Sequence, residues 1–320
     1  MENLRKIFID ICRGYSNHLL DNKHIYIRHL SHFDQVDIDD QYDIFYSDAK
    51  NRGLYTFNDK IKFLESESLW SKKNQQEIDE TKNYLDNLKI TKNSLAFKSQ
   101  IDPINKQIKE AEDKYVKLVT NKNILVGMTC ENYANRKIEL FYIELLFYSD
   151  SELKNKLFHK QEFDNAEEDY IDKLLSLYSS FVINFSNENM KKISVATFFT
   201  SLLYLSDNLE SFFGKALCNL TFYQSNLLSW GIYYKNILKN NEIPNDIMED
   251  PDKIEEFIKK TVNIKQIMER SGGQRIGIVG ATNKELKEIG GGDTPDILKY
   301  NQKSGGIDSI FTDKNVDKFN

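Results

Sequence analysis

The chain has 320 residues, of which 43 are basic and 49 are acidic, so its formal net charge is -6. This length can support one large or two medium domains, and a balance of charge without basic excess argues against nucleic acid as the main partner. No stretch approaches the roughly 18 uncharged apolar residues of a membrane span, and the residues after Met1 lack the apolar centre of a signal peptide, so neither is predicted.

The first thirty residues predict a helix followed by a β-hairpin. Apolar residues recur at helical spacing over residues 4–11, and Gly14 ends the pattern. Residues 15–20 and 24–30 are typical of two short strands around Asp21, with apolar and polar side chains alternating in the second. We expect this to be the only hairpin in the chain.

Two helices are predicted between this hairpin and residue 70. Ser31 is followed three residues later by Asp34, which is the spacing of a capping box at a helix start. We expect that helix to run to Arg52, because Gly53 can supply the residue that ends it. A shorter helix is predicted from about residue 58 to 69.

Residues 71–121 give the clearest architectural signal, because apolar residues recur there at intervals of three and four. Ser71 caps the first arm, and Asp102-Pro103 forms a favourable N-cap and first-turn pair for the second. The seam residues are Ile78, Leu85 and Leu88 on the first arm, and Ile101, Ile104, Ile108, Ala111, Tyr115 and Leu118 on the second. The pattern predicts an antiparallel helical hairpin, which is either a solvated coiled-coil spacer or a docking arm for another subunit.

Residues 129–239 are expected to form an all-helical core, because their helices are apolar over most of the circumference. Asp164 with Glu167, and Thr221 with Gln224, have the spacing of capping boxes and predict helix starts near both pairs. The aromatic residues that follow Thr221 are interpreted as buried core rather than as a surface that stacks on a ligand.

The polar residues of the N-terminal region do not predict a catalytic or metal site. His29 and His32 lie near two aspartates, a nominal set of metal ligands, but His29 is expected to end a strand and no ligand geometry is fixed. The aspartates of residues 34–43 lack the glycine and terminal glutamate of an EF-hand, so a solvated helix face is expected. No serine, cysteine or threonine stands in a nucleophile motif.

A glycine-containing segment, Arg275 to Thr282, has the order of a strand that enters a glycine turn and a helix. The third glycine of the dinucleotide-binding motif is missing, and Lys284 does not have the spacing of a phosphate-binding loop. We therefore expect no nucleotide and no other cofactor. The segment is interpreted either as a strand that adds to the edge of a neighbour's sheet or as part of a flexible tail.

Beyond a last amphipathic helix, predicted from Pro251 to about Arg270, the chain changes character. Nine of its fourteen glycines lie in residues 271–320. Such a stretch is expected to stay extended and to gain order only against partner surfaces, through isolated apolar residues. The candidate partner-binding residues are Ile276, Ile278, Val279, Ile297, Leu298, Ile307, Ile310 and Phe311.

These elements together predict a mainly α protein. It has a helical bundle core, a projecting antiparallel coiled-coil hairpin, one small N-terminal β-hairpin and an extended glycine-rich C-terminal tail. The predicted domains are residues 1–70, 71–121, 122–270 and 271–320.

Four stretches resemble uncharacterised structural and assembly proteins of tailed bacteriophages with AT-rich genomes. They are Phe213 to Leu217, Leu220 to Gln224, Tyr234 to Leu238, and Arg275 to Thr282. The resemblance implies a role in the virion or in tail morphogenesis, and it carries over no catalytic residues.

The expected function is that of a non-enzymatic virion component of the tail, baseplate or neck, made in the host cytoplasm. Its hairpin and tail would bind other virion proteins. One alternative is an assembly chaperone that is absent from the mature particle. Another is an enzyme whose site forms only by tertiary convergence, which would require a concave pocket with perturbed titratable groups.

Overall fold

The computed structural model describes residues 2–95, 97–159, 163, 166–206, 212–271, 276–277 and 297–298, with side chains up to residue 263. Within these residues the protein is mainly helical, as predicted. The helices are α1 Glu2–Arg13, α2 His32–Asn51, α3 Phe57–Ser66, α4 Lys72–Ser94, α5 Lys98–Val126, α6 Cys130–Leu146, α7 Glu168–Asn184, α8 Asn187–Val195, α9 Thr197–Leu205, α10 Phe222–Asn240 and α11 Pro251–Ser271. The strands are β1 Tyr15–Leu20, β2 Lys23–Arg28, β3 Phe147–Tyr148, β4 Ile276–Gly277 and β5 Ile297–Leu298.

Contacts divide the chain into two compact units. The first unit comprises residues 1–63 and 126–251, and the second comprises residues 64–125 and 252–320. The predicted helical hairpin falls inside the second unit, whereas most of the predicted N-terminal segment and helical core share the first. Among the described helices of both units, none is long and apolar enough to cross a lipid bilayer.

The first unit contains a three-stranded antiparallel sheet in the order β1-β2-β3. The predicted hairpin is confirmed, and its two turn residues, Asp21 and Asn22, have the positive φ values that two-residue hairpin turns require. The third strand corrects the expectation that residues up to 148 continue a helix. Helix α6 ends at Leu146, and Phe147 pairs with Ile27. In a continuous apolar run, periodicity cannot distinguish a buried strand from a buried helix, so the sequence did not reveal the third strand.

The core of the first unit joins α1, the sheet and the later helices. Ile11, Ile25 and Phe147 are fully buried together with residues of α7 to α10. Helix α10 approaches α9 closely at Gly231, where an added Cβ would lie 2.8 Å from the ring of Phe199. Glycine therefore permits this helix contact through the absence of a side chain.

Two predicted helix starts are confirmed in the first unit, and a third is corrected. The Asp34 carboxylate accepts hydrogen bonds from the backbone N–H and hydroxyl of Ser31 at the start of α2. At the start of α10, Thr221 and Gln224 form the complete capping box. Helix α7, however, begins at Glu168 with Glu167 at the N-cap, and the Asp164 of the predicted box lies outside the described residues.

The second unit contains the predicted antiparallel hairpin of α4 and α5. Leu85, Leu88 and Ala111 form its buried seam, flanked by Ile104 and Ile108. Cross-helix pairs support the antiparallel register; they are Lys89 with Glu112 (3.0 Å), Lys114 with Glu77 (3.0 Å) and Lys122 with Gln75 (2.8 Å). The prediction that Leu85 and Leu88 face the second arm is confirmed.

The start of the second arm is corrected. Helix α5 begins at Lys98 rather than near Asp102, and Pro103 lies inside it. Buried Phe97 anchors the start, and its carbonyl accepts the N–H groups of Gln100 and Ile101. Pro103 lacks the N–H that the helical ladder would use, and its ring crowds the carbonyl four residues earlier, so the anchoring upstream has to offset this local cost.

Helix α11 has the predicted start and ends one residue beyond the predicted Arg270. It packs on the connection between α4 and α5 in the second unit. The side-chain amide of Asn263 donates to the carbonyls of Asn93 and Leu95, at 3.1 and 2.9 Å, and Lys259 donates to the Asn93 side chain at 2.9 Å. These bonds satisfy carbonyls at the C-terminal end of α4, which a helix leaves without internal partners.

Candidate interaction surfaces

Helix α2 has a buried face and, opposite to it, an exposed face that also carries apolar residues. Ile38 and Ala49 are buried on the side that packs against α6. On the other side, Phe33, Val36 and Ile44 are 64, 62 and 56 % exposed. Together with Asp37 and Asp40 they recur at intervals of three and four, and we call Phe33, Val36, Asp37, Asp40 and Ile44 the α2 stripe.

Helix α2, which carries the stripe, is strongly acidic. Residues 32–51 contain six aspartates and one lysine, so the helix carries a net charge of -5. Asp34 and Asp48 are engaged inside the unit, with Arg28 and with Arg52 respectively. The exposed carboxylates of Asp37, Asp40 and Asp43 surround the apolar residues, so the stripe combines apolar contact area with negative charge.

The Arg28–Asp34 pair holds the first turn of α2 against strand β2. The guanidinium donates two hydrogen bonds to the carboxylate, at 2.9 and 2.7 Å. Burial alone would raise the pKa of Asp34, but the hydrogen bonds from Arg28 and Ser31 outweigh it and hold the pKa below its usual range. A two-pronged ion pair fixes orientation as well as distance, so the direction of α2, and with it the stripe, is set by the sheet.

Helix α5 carries a second exposed stripe, on the side opposite the hairpin seam. Val116 and Ile124 are 60 and 72 % exposed, and lysines continue the same face toward the N-terminal end of the helix. We define the α5 stripe as Lys106, Lys109, Asp113, Val116, Lys117, Thr120 and Ile124. Its three lysines outnumber its one aspartate, so its charge is opposite to that of the α2 stripe.

A buried polar chain, formed by Asp10, Ser16 and His29, is the closest approach to a catalytic geometry among the described side chains. Ser16 Oγ lies 3.0 Å from Nε2 of His29, and the hydroxyl also bonds the Asp10 carboxylate. Ser16 stands between the acid and the base, whereas in a catalytic triad the histidine holds that position. Ser16 is also only 1 % exposed, so a substrate has no access to it. We therefore assign these three hydrogen-bonded residues a structural role.

His29 is held neutral within this hydrogen-bonded group. The rings of Phe181, Phe185 and Tyr223 surround it, and its Nδ1 has no hydrogen-bond partner in the described part of the protein. Burial, with a smaller contribution from the charge of Lys215, lowers the pKa of His29 to about 3. With the Ser16 hydroxyl donating to Asp10, the Nε2–H of His29 donates to Ser16.

The two histidines considered as metal ligands point to different environments. His29 lies in the aromatic cluster, whereas the ring of His32 packs edge-on against Phe222 at 4.5 Å. Within the described ranges, no group of three or more histidine, cysteine, aspartate and glutamate side chains is arranged to hold a metal ion.

The predicted partner-binding residues of the tail are only partly described. The structure places Ile276 in β4 and Ile297 and Leu298 in β5, and the two strands pair in parallel, Ile276 with Ile297 and Gly277 with Leu298. The other residues of that set lie outside the described residues; they are Ile278, Val279, Ile307, Ile310 and Phe311. Gly280 and Lys284, from the rejected nucleotide motif, also lie outside them.

Sequence reasoning missed both stripes. The acidic run of α2 was expected to be a solvated helix face. In the hairpin, the buried seam already explained the apolar pattern, so the exposed residues of α5 were not considered. The signal that reveals a stripe is a second set of apolar residues opposite an already assigned buried face.

Comparison of the chain with protein-family models, curated proteins and solved structures finds no match.

Proposed function

We propose that this protein is a non-enzymatic structural component of a phage virion, in the tail, baseplate or neck region. It binds neighbouring subunits through its helical hairpin and its C-terminal tail. The setting comes from the sequence resemblance. The observation that carries the binding role is the α5 stripe, because exposed apolar residues at helical spacing are typical of a helix that docks into a partner.

The construction of the hairpin supports this role. The seam of Leu85, Leu88 and Ala111 is already closed by the two arms, so the α5 stripe takes no part in holding them together. Val116 and Ile124 are therefore available for a partner at little cost to the fold. Lys117 beside Val116, and Lys106 and Lys109 further along the same face, favour an acidic partner surface, which would speed association and set its orientation.

Incorporation into the particle tests the proposal. Full-length Val116→Ser/Ile124→Ser protein should fold normally but enter purified particles at a much lower copy number than the parent protein, as measured by quantitative mass spectrometry. Ile90→Ser is the matched control, because Ile90 is exposed on the other arm. Normal incorporation of the double variant would contradict the role of the hairpin. Absence of the parent protein from mature particles would favour the assembly chaperone instead.

A further inference from the structure

We propose that the partner of the α5 stripe is the α2 stripe of a second copy of this chain. This inference rests on the proposed function and deepens it by naming the partner. Each chain offers one surface of each kind, so copies would join head to tail, with α5 of one copy on α2 of the next.

Charge complementarity favours this partner. The α2 stripe presents Asp37 and Asp40, with Asp43 at its margin, around apolar residues. The α5 stripe presents Lys117 beside Val116, and Lys109 and Lys106 lie about two and three turns before Val116 on the same face, with Asp113 between. Surfaces of opposite charge attract each other and disfavour contacts between like surfaces, so α2 on α5 is preferred over α2 on α2 or α5 on α5.

The spacing of the apolar residues also matches. Val36 and Ile44 are eight residues apart on α2, as are Val116 and Ile124 on α5. At 1.5 Å per residue both pairs span about 12 Å. An antiparallel alignment that sets Ile44 against Val116 therefore sets Val36 against Ile124 as well.

The same alignment pairs a carboxylate with an ammonium group. With Ile44 against Val116, the neighbouring Asp43 lies opposite Lys117. Phe33 then lies beyond Ile124, opposite the position that follows the last residue of α5. This register therefore pairs both apolar residues and one carboxylate with one ammonium group, whereas Asp37 and Asp40 lie opposite Asn123 and Thr120.

A head-to-tail contact does not close on itself in a dimer, so it produces rings or open chains. One helix stripe on another buries less area than a stable isolated dimer needs, so the contact should be weak, with a Kd of roughly 10 µM to 1 mM. Repetition of the contact in an assembly would compensate for this weakness.

Analytical ultracentrifugation of the full-length protein tests the contact. The weight-average mass of the parent protein should rise with concentration beyond that of a dimer. Two double variants should each remain monomeric. Val36→Ser/Ile44→Ser blocks the α2 stripe, and Val116→Ser/Ile124→Ser blocks the α5 stripe. Because the blocked stripes differ, an equimolar mixture should form a heterodimer and nothing larger.

Charge reversal tests the register. Asp43→Lys, added to the variant whose α2 stripe is intact, should weaken the heterodimer about tenfold. Lys117→Asp, added to the variant whose α5 stripe is intact, should restore it. Asp86→Lys on the exposed side of α4 is the control and should change nothing. Failure of the paired reversal to restore binding would overturn the proposed register.

The inference and the proposed function fail differently. A parent protein that stays monomeric at millimolar concentration would overturn the self-association. The hairpin would still have its proposed role if Val116→Ser/Ile124→Ser then lowered the copy number in particles. Self-association combined with normal incorporation of that variant would contradict the hairpin's role in the particle.

Discussion

Replacement of His29 by glutamine should reduce the acid sensitivity of the first unit. The pKa of a histidine is ordinarily 6.5, and burial lowers that of His29 to about 3. Between these two values the unfolded chain binds a proton that the folded chain does not. The stabilisation is therefore complete above pH 6.5 and is lost progressively as the pH falls toward 3.

The slope is about 1.4 kcal/mol per pH unit, so at pH 5 the folded first unit should have lost about 2 kcal/mol through His29 alone. Burial also lowers the pKa of His18, which adds in the same direction, whereas burial raises the pKa of Asp10, which acts in the opposite direction. Comparison of the parent protein with His29→Gln isolates the share of His29.

Urea unfolding at pH 7 and pH 5 measures this share. The chain has two tryptophans, and Trp70→Phe leaves Trp230 as a fluorescent probe of the first unit. His24→Gln is the control, because His24 is exposed on the same hairpin. If His29→Gln lost as much stability between pH 7 and pH 5 as the parent protein, the buried neutral histidine would not be the source of acid sensitivity.

Three further predictions concern packing and the tail. Leu85→Asp should destabilise the hairpin by roughly 2 to 4 kcal/mol, because it places an unpaired charge in the seam, and hydrogen exchange should show the first unit still folded; melting of the whole protein would contradict this. Gly231→Ala should lower the free energy of unfolding by about 1 to 3 kcal/mol, because the added Cβ would lie within 3 Å of Phe199. Thermal unfolding measures this against the exposed control Ser229→Ala, and no loss of stability would show that α9 can move. Deletion of residues 271–320 should leave the melting temperature nearly unchanged but abolish incorporation into particles, and a truncated protein that assembles normally would refute the role of the tail.

Local sequence signals predicted the helical elements well. The pairs Ser31–Asp34 and Thr221–Gln224 marked helix starts because capping depends on residues only three positions apart. The seam of α4 and α5 was visible because its apolar residues recur at intervals of three and four along both helices.

Features that depend on distant residues were not predictable in this way. The pairing of Phe147 with Ile27 joins residues far apart in sequence, and the buried position of Ser16 between Asp10 and His29 is decided by three elements packing together. Burial of Phe97 likewise started α5 before its proline. In each case a tertiary contact outweighed the local preference.

The hydrogen bonds from Asn263 to the turn between α4 and α5 have a mechanical consequence. They attach the helix that leads into the tail directly to one end of the hairpin. If a neighbouring subunit pulled on the tail, the load would pass through α11 to that turn. The hydrogen bonds from Asn263, at 3.1 and 2.9 Å, lie on that path, so under the proposed function tension on the tail would reach the hairpin.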